Sequence, residues 1–542
     1  MLRAFLLPVL AVLVAPASAQ LEAPPVPDGN PVTAEKALLG KALFWDEQLS
    51  STRTRACGSC HMPRYGGSDG FAALTWLSAH PGLDGLWATE DDRFGSPGVI
   101  RSLADGTYTP STMFGLRQQV TERIAPSAIN AAYYDELFWD GSSGASLEDP
   151  LTGAVLLAAG AALESQALSP PVDDVEMGHV GIEWADVAAR VVASAPLFLA
   201  TDLPAELDAF VAGKSYPELF EQAFGSADVT PARIAMAIAT YERTLISDQA
   251  PVDVGSLNES QSLGKQVFEG KGGCVQCHSA PAGVGQLFSD RDYHNTGVRP
   301  VAEDLGRQLV TGDPADAGKF RTPSLRNVSL RPRFFHNGQY ESLTQVVEFY
   351  DRGGDFAENL DPAMQPLELT PEEKDALIAY LESFTDPRVE NELAPFDRPE
   401  LYRGSEREPL IFGVCAIGSG GTTPEAIAVE PPYVKNPNLT FGVTDTVGGA
   451  PAFLSISLGA FTFGAEVLGV ELYVDPLQEV VLEYVQLQGA PGVAGAGYGS
   501  IVFPLDLPPS FIGVDLYQQW MIIEPGGPQG LVTTPGVSLT LF

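Results

Sequence analysis

The chain has 542 residues, and its 69 acidic side chains outnumber 31 basic ones, which gives a formal net charge of −38 at pH 7. This balance argues against nucleic acid as a partner, because phosphate binding needs clustered Lys and Arg. The length and the 45% content of hydrophobic residues allow about three domains with cores of their own.

Residues 1–19 have the pattern of a secretory signal peptide. Arg3 provides the positive start, the run from Ala4 to Val14 is apolar, and Ala17-Ser18-Ala19 is a small-residue cleavage site. The run is too short to cross a membrane, and no later stretch is long and apolar enough to do so. We therefore expect a mature, soluble chain that begins at Gln20 and is exported to the periplasm, the cell surface or the medium.

Helices are predicted where a capping residue precedes an apolar face that repeats every three to four residues. Such starts lie at Thr33, Thr230, Asn258 and Thr370. The apolar content of the stretch from Ala154 to Leu168 predicts one more helix, which should be buried.

Two short segments combine two cysteines with a histidine in the spacing by which haem is covalently attached. They are Cys57-Gly58-Ser59-Cys60-His61 and Cys274-Val275-Gln276-Cys277-His278. In this motif both thiols bond to the porphyrin edge, and the histidine binds the iron as proximal ligand. Half of a zinc site is the alternative, but the sequence has no further Cys/His cluster to complete a tetrahedral site. We predict two covalent haem c groups, with Cys415 left over as a buried thiol.

Residues 62–125 follow the first of these motifs and are rich in Gly, Ser and Asp, without sustained periodicity. They are predicted to form a long loop or an insertion. Within them, Asp84-Gly85 and Glu90-Asp91-Asp92 offer hard oxygen ligands that suit calcium. An acidic surface loop without a metal is the alternative, and it is the interpretation we favour.

The composition changes near the end of the chain. From Pro409 to Phe542 there is almost no Lys or Arg, and Gly, Pro, Val and Leu dominate. Alternating or apolar segments stand between Gly/Pro turns, as in a β-sandwich, namely Phe453 to Leu458, Val467 to Val474, Glu479 to Leu487 and Val537 to Phe542. No titratable cluster there indicates catalysis. We predict a separately folding accessory domain for binding or anchoring, dispensable for chemistry, with inert structural packing as the alternative.

Residues from about 30 to 400 resemble the di-haem cytochrome c peroxidase family, including its MauG branch. The resemblance rests on short matches that occur in family order. They are Leu39-Gly40-Lys41-Ala42-Leu43-Phe44 with Asp46 and Leu49-Ser50, Pro126–Ala131, Phe138-Trp139-Asp140-Gly141, Gln166-Ala167 with Pro170, Glu176-Met177, Tyr241–Leu245, Arg321–Val328, Phe335-His336-Asn337-Gly338, and Phe349-Tyr350 with Arg352-Gly353-Gly354. The β-rich tail lies outside these matches.

With the tail added, the resemblance implies a mainly α fold with two cytochrome c-like haem domains and a C-terminal all-β, sandwich-like domain. We place a peroxidatic haem domain over residues 20–250, an electron-transfer haem domain over 251–404 and the β domain over 405–542. By the same resemblance, His61 would bind the iron of the first haem and His278 that of the second. His336 would lie beside the second haem.

The resemblance also implies which residues act on the substrate. Glu176 would be the acid–base on the open side of the first haem, in a pocket that Gln166 and Pro170 line, and Trp139 would carry electrons between the haems. Splitting peroxide requires a proton to move from one oxygen to the other, and a carboxylate in a partly dry pocket can carry it. The alternatives are a surface carboxylate for Glu176 and a core aromatic residue for Trp139.

Two residues are candidates for the sixth ligand of the second haem. Peroxidases of the family have Met at the position of Tyr350, whereas MauG-like members have Tyr there. A phenolate favours ferric iron, and a thioether favours ferrous iron. We favour Tyr350 as the ligand. The alternative is that Tyr350 is a core aromatic residue and that Met364 binds the iron instead.

Some positions depart from the family pattern. Ser142 stands where the family usually has Arg, and Arg331 and Arg333 replace the Thr and Pro that support its inter-domain calcium. These changes argue against a shared calcium ion. His80 in the insertion is either a resting ligand of the first iron or a plain loop histidine. Two further histidines match no family role, and they are His179 and His294.

We therefore expect a periplasmic peroxidase that reduces hydrogen peroxide to water with electrons from a small redox protein, such as a cytochrome c or a cupredoxin. One alternative is a MauG-like oxidase that modifies a partner protein. The other is a non-enzymatic electron-transfer cytochrome. Glu176 and Gln166 argue against this last alternative.

Overall fold

A computed structural model describes residues 21–279 and 287–542 of the chain. The predicted signal peptide and Gln20 lie outside the described residues. Within the described ranges, no helix is both long and apolar enough to cross a membrane.

The part of the chain around the first cysteine motif consists of helices joined by long loops. Its helices are α1 Ala34–Phe44, α2 Cys57–Cys60, α3 Thr75–Ser78, α4 Ala162–Ala167, α5 Trp184–Ala193, α6 Ala205–Val211, α7 Tyr216–Phe224 and α8 Pro231–Glu242. Those around the second motif are α9 Glu259–Glu269, α10 Gln308–Thr311, α11 Leu343–Asp351, α12 Pro371–Glu382 and α13 Pro387–Glu390.

The four predicted helix starts are confirmed by their capping hydrogen bonds. The side chains of Thr33, Thr230, Asn258 and Thr370 each accept a hydrogen bond from a backbone N–H in the first turn of α1, α8, α9 and α12, respectively. Such caps satisfy N–H groups that have no partner within the helix, so these short polar residues fix where each helix begins.

Each cysteine motif follows a helix that packs closely against a later one. A Cβ built on Gly40 of α1 would overlap the carbonyl of Ala237 in α8, and one on Gly264 of α9 would overlap that of Ala376 in α12. Both glycines stand in a Leu-Gly-Lys sequence. The two helix pairs therefore repeat one packing arrangement, in which the missing side chain lets two helix backbones touch.

The helix predicted over Ala154 to Leu168 is only partly correct. Its first half forms the strand β6 Val155–Leu157, which pairs with β5 Leu147–Glu148, and only α4 is helical. Gly160, with a φ of +70°, turns the chain between them. The apolar run did not indicate a buried helix, because Val155 is 58% exposed and not part of a buried helix face.

The insertion after the first cysteine motif contains two small antiparallel pairs of strands. They are β1 Ala79–His80 with β2 Arg93–Phe94, and β3 Pro97–Ile100 with β4 Gln118–Val120. In the acidic loop, the Asp91 carboxylate accepts hydrogen bonds from Leu83 N and Asp84 N, and that of Asp92 accepts one from Ala88 N. These carboxylates shape an exposed loop, and the choice between a loop with calcium and one without it stays a prediction.

The tail is rich in strands. They are β9 Leu410–Phe412, β10 Glu425–Ile427, β11 Leu439–Val447, β12 Pro451–Ser457, β13 Ala460–Val467, β14 Val470–Val474, β15 Glu479–Gln486, β16 Ala494–Phe503, β17 Asp515–Ile523, β18 Leu531–Thr533 and β19 Gly536–Thr540. A six-stranded sheet has the order β15-β12-β17-β19-β9 with β18 beside β17, and a three-stranded sheet has the order β10-β11-β16. Side chains of both sheets, among them Phe441, Leu454 and Trp520, form one apolar cluster.

Two expectations need correction. Helix accounts for about 26% of the described residues and strand for 20%, so "mainly α" describes only the two cysteine-motif regions and not the strand-rich tail. Cys415 is a free cysteine and only half-buried, because it follows the edge strand β9 in a stretch where Val414 and Ile417 are exposed.

The strand-rich tail packs against the insertion. Ile100, Tyr108 and Leu116 share an apolar cluster with Ile427, and the Tyr108 hydroxyl donates a hydrogen bond to Glu430 Oε1 at 3.0 Å. This buried contact bears against the expectation that the tail is independent of the rest of the chain.

Candidate active site and haem-binding cavities

A cavity of about 460 Å³ gathers the residues that the sequence assigned to the first haem, except that Cys57 is not in its lining. Cys60 and His61, at the end of α2, line it together with Gln166 from the last turn of α4. Pro170 begins the short turn after α4, and Glu176 follows in the next loop. Residues more than a hundred positions apart in sequence thus face one cavity.

The two motif histidines are oriented by backbone carbonyls. His61 Nδ1 lies 3.3 Å from Gly67 O, and His278 Nδ1 lies 2.9 Å from Phe288 O. A ring nitrogen that donates to a carbonyl fixes the tautomer and leaves Nε2 as the atom that can bind iron.

Glu176 lies in a turn that orders its backbone and leaves its carboxylate free. Its N–H donates to Asp173 Oδ1 at 2.9 Å, and none of the described residues forms a hydrogen bond with its side chain. Burial, helped by the negative charge of Asp173, raises the pKa of Glu176 to about 7. A carboxyl group with this pKa can both accept and return a proton near neutral pH.

Glu242 is a cavity residue that the sequence did not single out. It lies at the end of α8, is 5% exposed and lines the same cavity as Glu176. Burial raises its pKa to about 8, and its Oε2 has no hydrogen-bond partner among the described residues. The sequence feature that could have identified Glu242 is its place in the segment Tyr241–Leu245, which matches the family.

Trp139 lies between two cavities and lines both of them. Its indole N–H donates to Ile124 O at 2.8 Å, which fixes the ring. The His336 ring meets it edge-on, with the ring centres 6.4 Å apart, and stacks on Phe320 at 3.5 Å. The imidazole of His336 is buried, and this burial lowers its pKa to about 3.

A second cavity, of about 190 Å³, contains the residues assigned to the second haem. Cys274, Cys277 and His278 form one part of its lining, and Tyr350 of α11 and Met364 form another. Burial raises the pKa of Tyr350 above its usual range. Both candidate sixth ligands thus line the cavity, and the choice between them stays a prediction.

The three remaining histidines differ in what their ring nitrogens contact. His294 lies between two carboxylates, with Nδ1 2.7 Å from Asp361 Oδ2 and Nε2 3.0 Å from Asp290 Oδ2. His179 Nδ1 lies 3.1 Å from Val180 O. His80 does not line the cavity of His61 but a separate one beside it, and its Nδ1 has no partner among the described residues.

The residues present fit two haem c groups. All four motif cysteines are free, so each pair is available to bond to a porphyrin. Arg331 lines the second cavity as a half-buried cation, and its Nε is a buried donor without a hydrogen-bond partner in the described part of the chain. A buried donor of a cation is best satisfied by an anionic acceptor, and a haem propionate would provide one.

Two cytochrome c-type attachment sites, with an aromatic ring between them and a carboxylic acid in one cavity, define a di-haem redox protein. The family model "Di-haem cytochrome c peroxidase" matches residues 34–262, and the family model "Cytochrome c" matches residues 261–385. The chain belongs to the di-haem cytochrome c peroxidase family and is an oxidoreductase of the cytochrome-c peroxidase type. The strand-rich tail lies beyond both matches.

Relatives with known names cover most of this chain except the tail. Cytochrome-c peroxidase IdrP1 of Pseudomonas sp. (strain SCT) is 30% identical over 71% of this chain and 92% of its own length. Methylamine utilization protein MauG of Methylorubrum extorquens is 29% identical over 67% of this chain and 81% of its own. The crystal structure of a MauG-like protein associated with microbial copper homeostasis covers 69% of this chain and 95% of its own, with 25% identity and a TM-score of 0.48.

Proposed function

We propose that this protein is a periplasmic peroxidase that reduces hydrogen peroxide to water with electrons from a small redox protein. The observation that carries the proposal is the position of Glu176, whose carboxyl group shares one cavity with His61 and Gln166 and has a pKa of about 7. The similarity to a cytochrome-c peroxidase over most of the relative's length supports it.

In this proposal, Cys57, Cys60 and His61 hold the haem of the first cavity. When bound, that haem supplies an iron that takes up peroxide and passes electrons to it. Glu176 accepts a proton from one peroxide oxygen and returns it to the other, which departs as water. The Gln166 amide donates a hydrogen bond to a polarised oxygen of the peroxide, and Pro170 shapes the wall of the first cavity.

Electrons enter through the second cavity, where Cys274, Cys277 and His278 hold the other haem. Trp139 lines both cavities and is held by its hydrogen bond to Ile124 O, so its ring is the protein group best placed to carry electrons between them. Per peroxide, two electrons and two protons yield two molecules of water.

A second candidate function is that of a MauG-like oxidase acting on a partner protein. The specific observation in its favour is Tyr350, which stands in the second cavity where MauG-like members have Tyr. Similarity to a protein named for methylamine utilization is compatible with it. A non-enzymatic electron carrier is disfavoured, because it needs neither Glu176 nor Gln166 in a cavity beside His61.

The tail completes the proposal as a sandwich-like accessory domain over residues 405–542, after haem domains with boundaries near residues 250 and 404. Two sheets with one shared apolar cluster support this division.

The test measures peroxide consumption together with oxidation of a reduced small cytochrome c or cupredoxin by the purified holoprotein. The peroxidase predicts two donor molecules oxidised per peroxide, at a rate that saturates with both. Peroxide consumption without donor oxidation points to the oxidase. Absence of both reactions in protein with two haems per chain would refute the enzyme.

A further inference from the structure

A third cavity, of about 470 Å³, adjoins the first one at Glu176. Three residues line both cavities, and they are Thr121, Glu122 and Glu176. The carboxylic acid of the proposed reaction therefore stands where two spaces meet, with His61 on one side and the insertion on the other. A small molecule in the third cavity has only this shared wall between it and the site of His61.

The insertion builds the outer part of this third cavity. His80 of β1 and the segment Met113-Phe114 line it, together with residues of β4. Met113 is 42% exposed, so it stands where the cavity meets solvent, whereas Phe114 is buried. The edge of the His80 ring meets the Phe114 ring, with the ring centres 5.5 Å apart, so both rings are fixed.

His80 lines this cavity and carries a polar atom that no described residue uses. It is 4% exposed, and its Nδ1 is buried with no hydrogen-bond partner among the described residues. A buried polar atom without a partner is costly unless a ligand or water supplies the missing hydrogen bond. Burial lowers the pKa of His80, so the ring is neutral and offers one donor and one acceptor.

The charge of the cavity restricts what can enter. Glu122, Asp173 and Glu176 all line it. Arg93 is the cation beside them, and it pairs with Glu122 at 3.3 Å. Asp91 and Asp92 of the acidic loop add negative charge near His80. Carboxylates thus predominate around this cavity, and their net negative charge repels anions, so the cavity favours neutral molecules over anions.

We propose that this third cavity is the entrance for small neutral hydroperoxides, and that His80 holds the peroxide by a hydrogen bond before it passes Glu176. The proposal rests on the peroxidase function and adds the route by which hydrogen peroxide and other uncharged hydroperoxides reach Glu176. Anionic peroxides are excluded by the charge of the passage. His80 is then a binding residue of the entrance and not a ligand of iron.

The first experiment narrows the entrance and measures the association rate of hydrogen cyanide, a small neutral haem ligand, by stopped-flow absorbance. Met113→Trp should slow this association, and should lower kcat/KM for hydrogen peroxide, by about tenfold, while kcat at saturating peroxide stays the same. The matched control is Leu103→Trp, at a 44% exposed position of the same insertion outside the cavity, which should change neither rate.

The second experiment removes the polar atom of His80. His80→Phe keeps the ring contact with Phe114 and should raise KM for peroxide about fivefold with kcat unchanged. His80→Asn keeps a polar atom and should therefore raise KM less than His80→Phe does. A merely structural role would respond to ring shape, so Phe would be tolerated better than Asn. That order of the two variants would overturn the role of His80.

The third experiment compares peroxides of different charge. Hydrogen peroxide should react much faster than the peroxymonosulfate anion, and Glu122→Gln should raise the relative rate of the anion. No change in that ratio would overturn the selection by charge, and unaltered rates in Met113→Trp would overturn the entrance. If the wild-type protein binds cyanide by this route but does not turn over peroxide, the peroxidase function fails and the entrance stands.

Discussion

The guanidinium carbon of Arg331 lies 5.9 Å from the centre of the Trp139 ring. In the described part of the chain no carboxylate pairs with Arg331, whose long hydrogen bonds go to the Ser68 hydroxyl and to Ala125 O. Burial lowers the pKa of Arg331 to about 10, so it is still a cation at neutral pH. A fixed positive charge therefore stands beside the aromatic ring that separates the two cavities.

Replacing this cation should make both haems harder to reduce. We expect Arg331→Met to lower their reduction potentials by an amount on the order of 50 mV, because a nearby positive charge favours the arrival of an electron. Spectroelectrochemical titration measures the change, and Arg331→Lys is the charge-conserving control. Unaltered potentials in an Arg331→Met protein that holds both haems would contradict this role.

Glu176→Gln should reduce kcat for peroxide by about 10²–10⁴-fold, because the amide keeps the shape of the side chain but carries no exchangeable acid proton. Both haems should stay bound, as counted by pyridine haemochrome absorbance. In the wild-type protein, kcat/KM should rise with pH through about 7, since only the ionised carboxylate accepts the first proton. The control is Asp174→Asn, a solvent-accessible neighbour, and near-normal kcat in Glu176→Gln would exclude the assignment.

The contact between the tail and the insertion should make stability depend on pH. Burial raises the pKa of Glu430 to about 8 from its usual 4.5. Between these values the folded state holds a proton that the unfolded state has lost, so the free energy of unfolding falls as the pH rises, by at most about 1.4 kcal/mol per pH unit for this group. Urea unfolding at several pH values should show a smaller fall in Glu430→Gln than in the wild-type chain. Equal slopes would mean that Glu430 is ionised in the folded protein.

A chain that ends at Arg403 should keep two haems but lose stability. Truncation uncovers Ile100, Tyr108 and Leu116, which the tail buries in the full chain. We expect a lower Tm and a lower kcat/KM for peroxide, measured by calorimetry and by turnover. The full-length variant Ile427→Asp breaks only this contact and should reproduce the lower Tm. A truncated chain as stable and active as the full one would show that the tail is independent.

The ligand of the second haem can be read from the ferric spectrum near 700 nm, where methionine–iron ligation gives a weak band. With Tyr350 as ligand, this band should be absent in the wild-type protein, and the second haem should stay ferric in mild reductant because a phenolate stabilises ferric iron. A band that is lost in Met364→Leu and kept in Tyr350→Phe would assign the ligand to Met364 instead.

Local sequence determined the features that depend on a few neighbouring residues. The spacing of Cys57, Cys60 and His61 determines covalent attachment, because two thiols and an imidazole must reach one porphyrin. Thr230 and Thr370 determine helix starts, since a cap acts on the N–H groups of the next turn. The Leu-Gly-Lys sequence around Gly40 and Gly264 also occurs twice in the sequence. Only the structure shows that each glycine lies at a close contact between two helices.

The family resemblance implied a pocket for Glu176, but only the tertiary structure shows which distant residues line one space. No local period relates Glu176 to His61, or places Trp139 in the walls of two cavities. The same holds for Glu242, for the cation of Arg331, and for a tail that packs against the insertion, all of which depend on how separate elements meet. Hydrophobic burial is proportional to area and has no direction, so an apolar run such as Ala154 to Leu168 does not by itself say which partner will cover it.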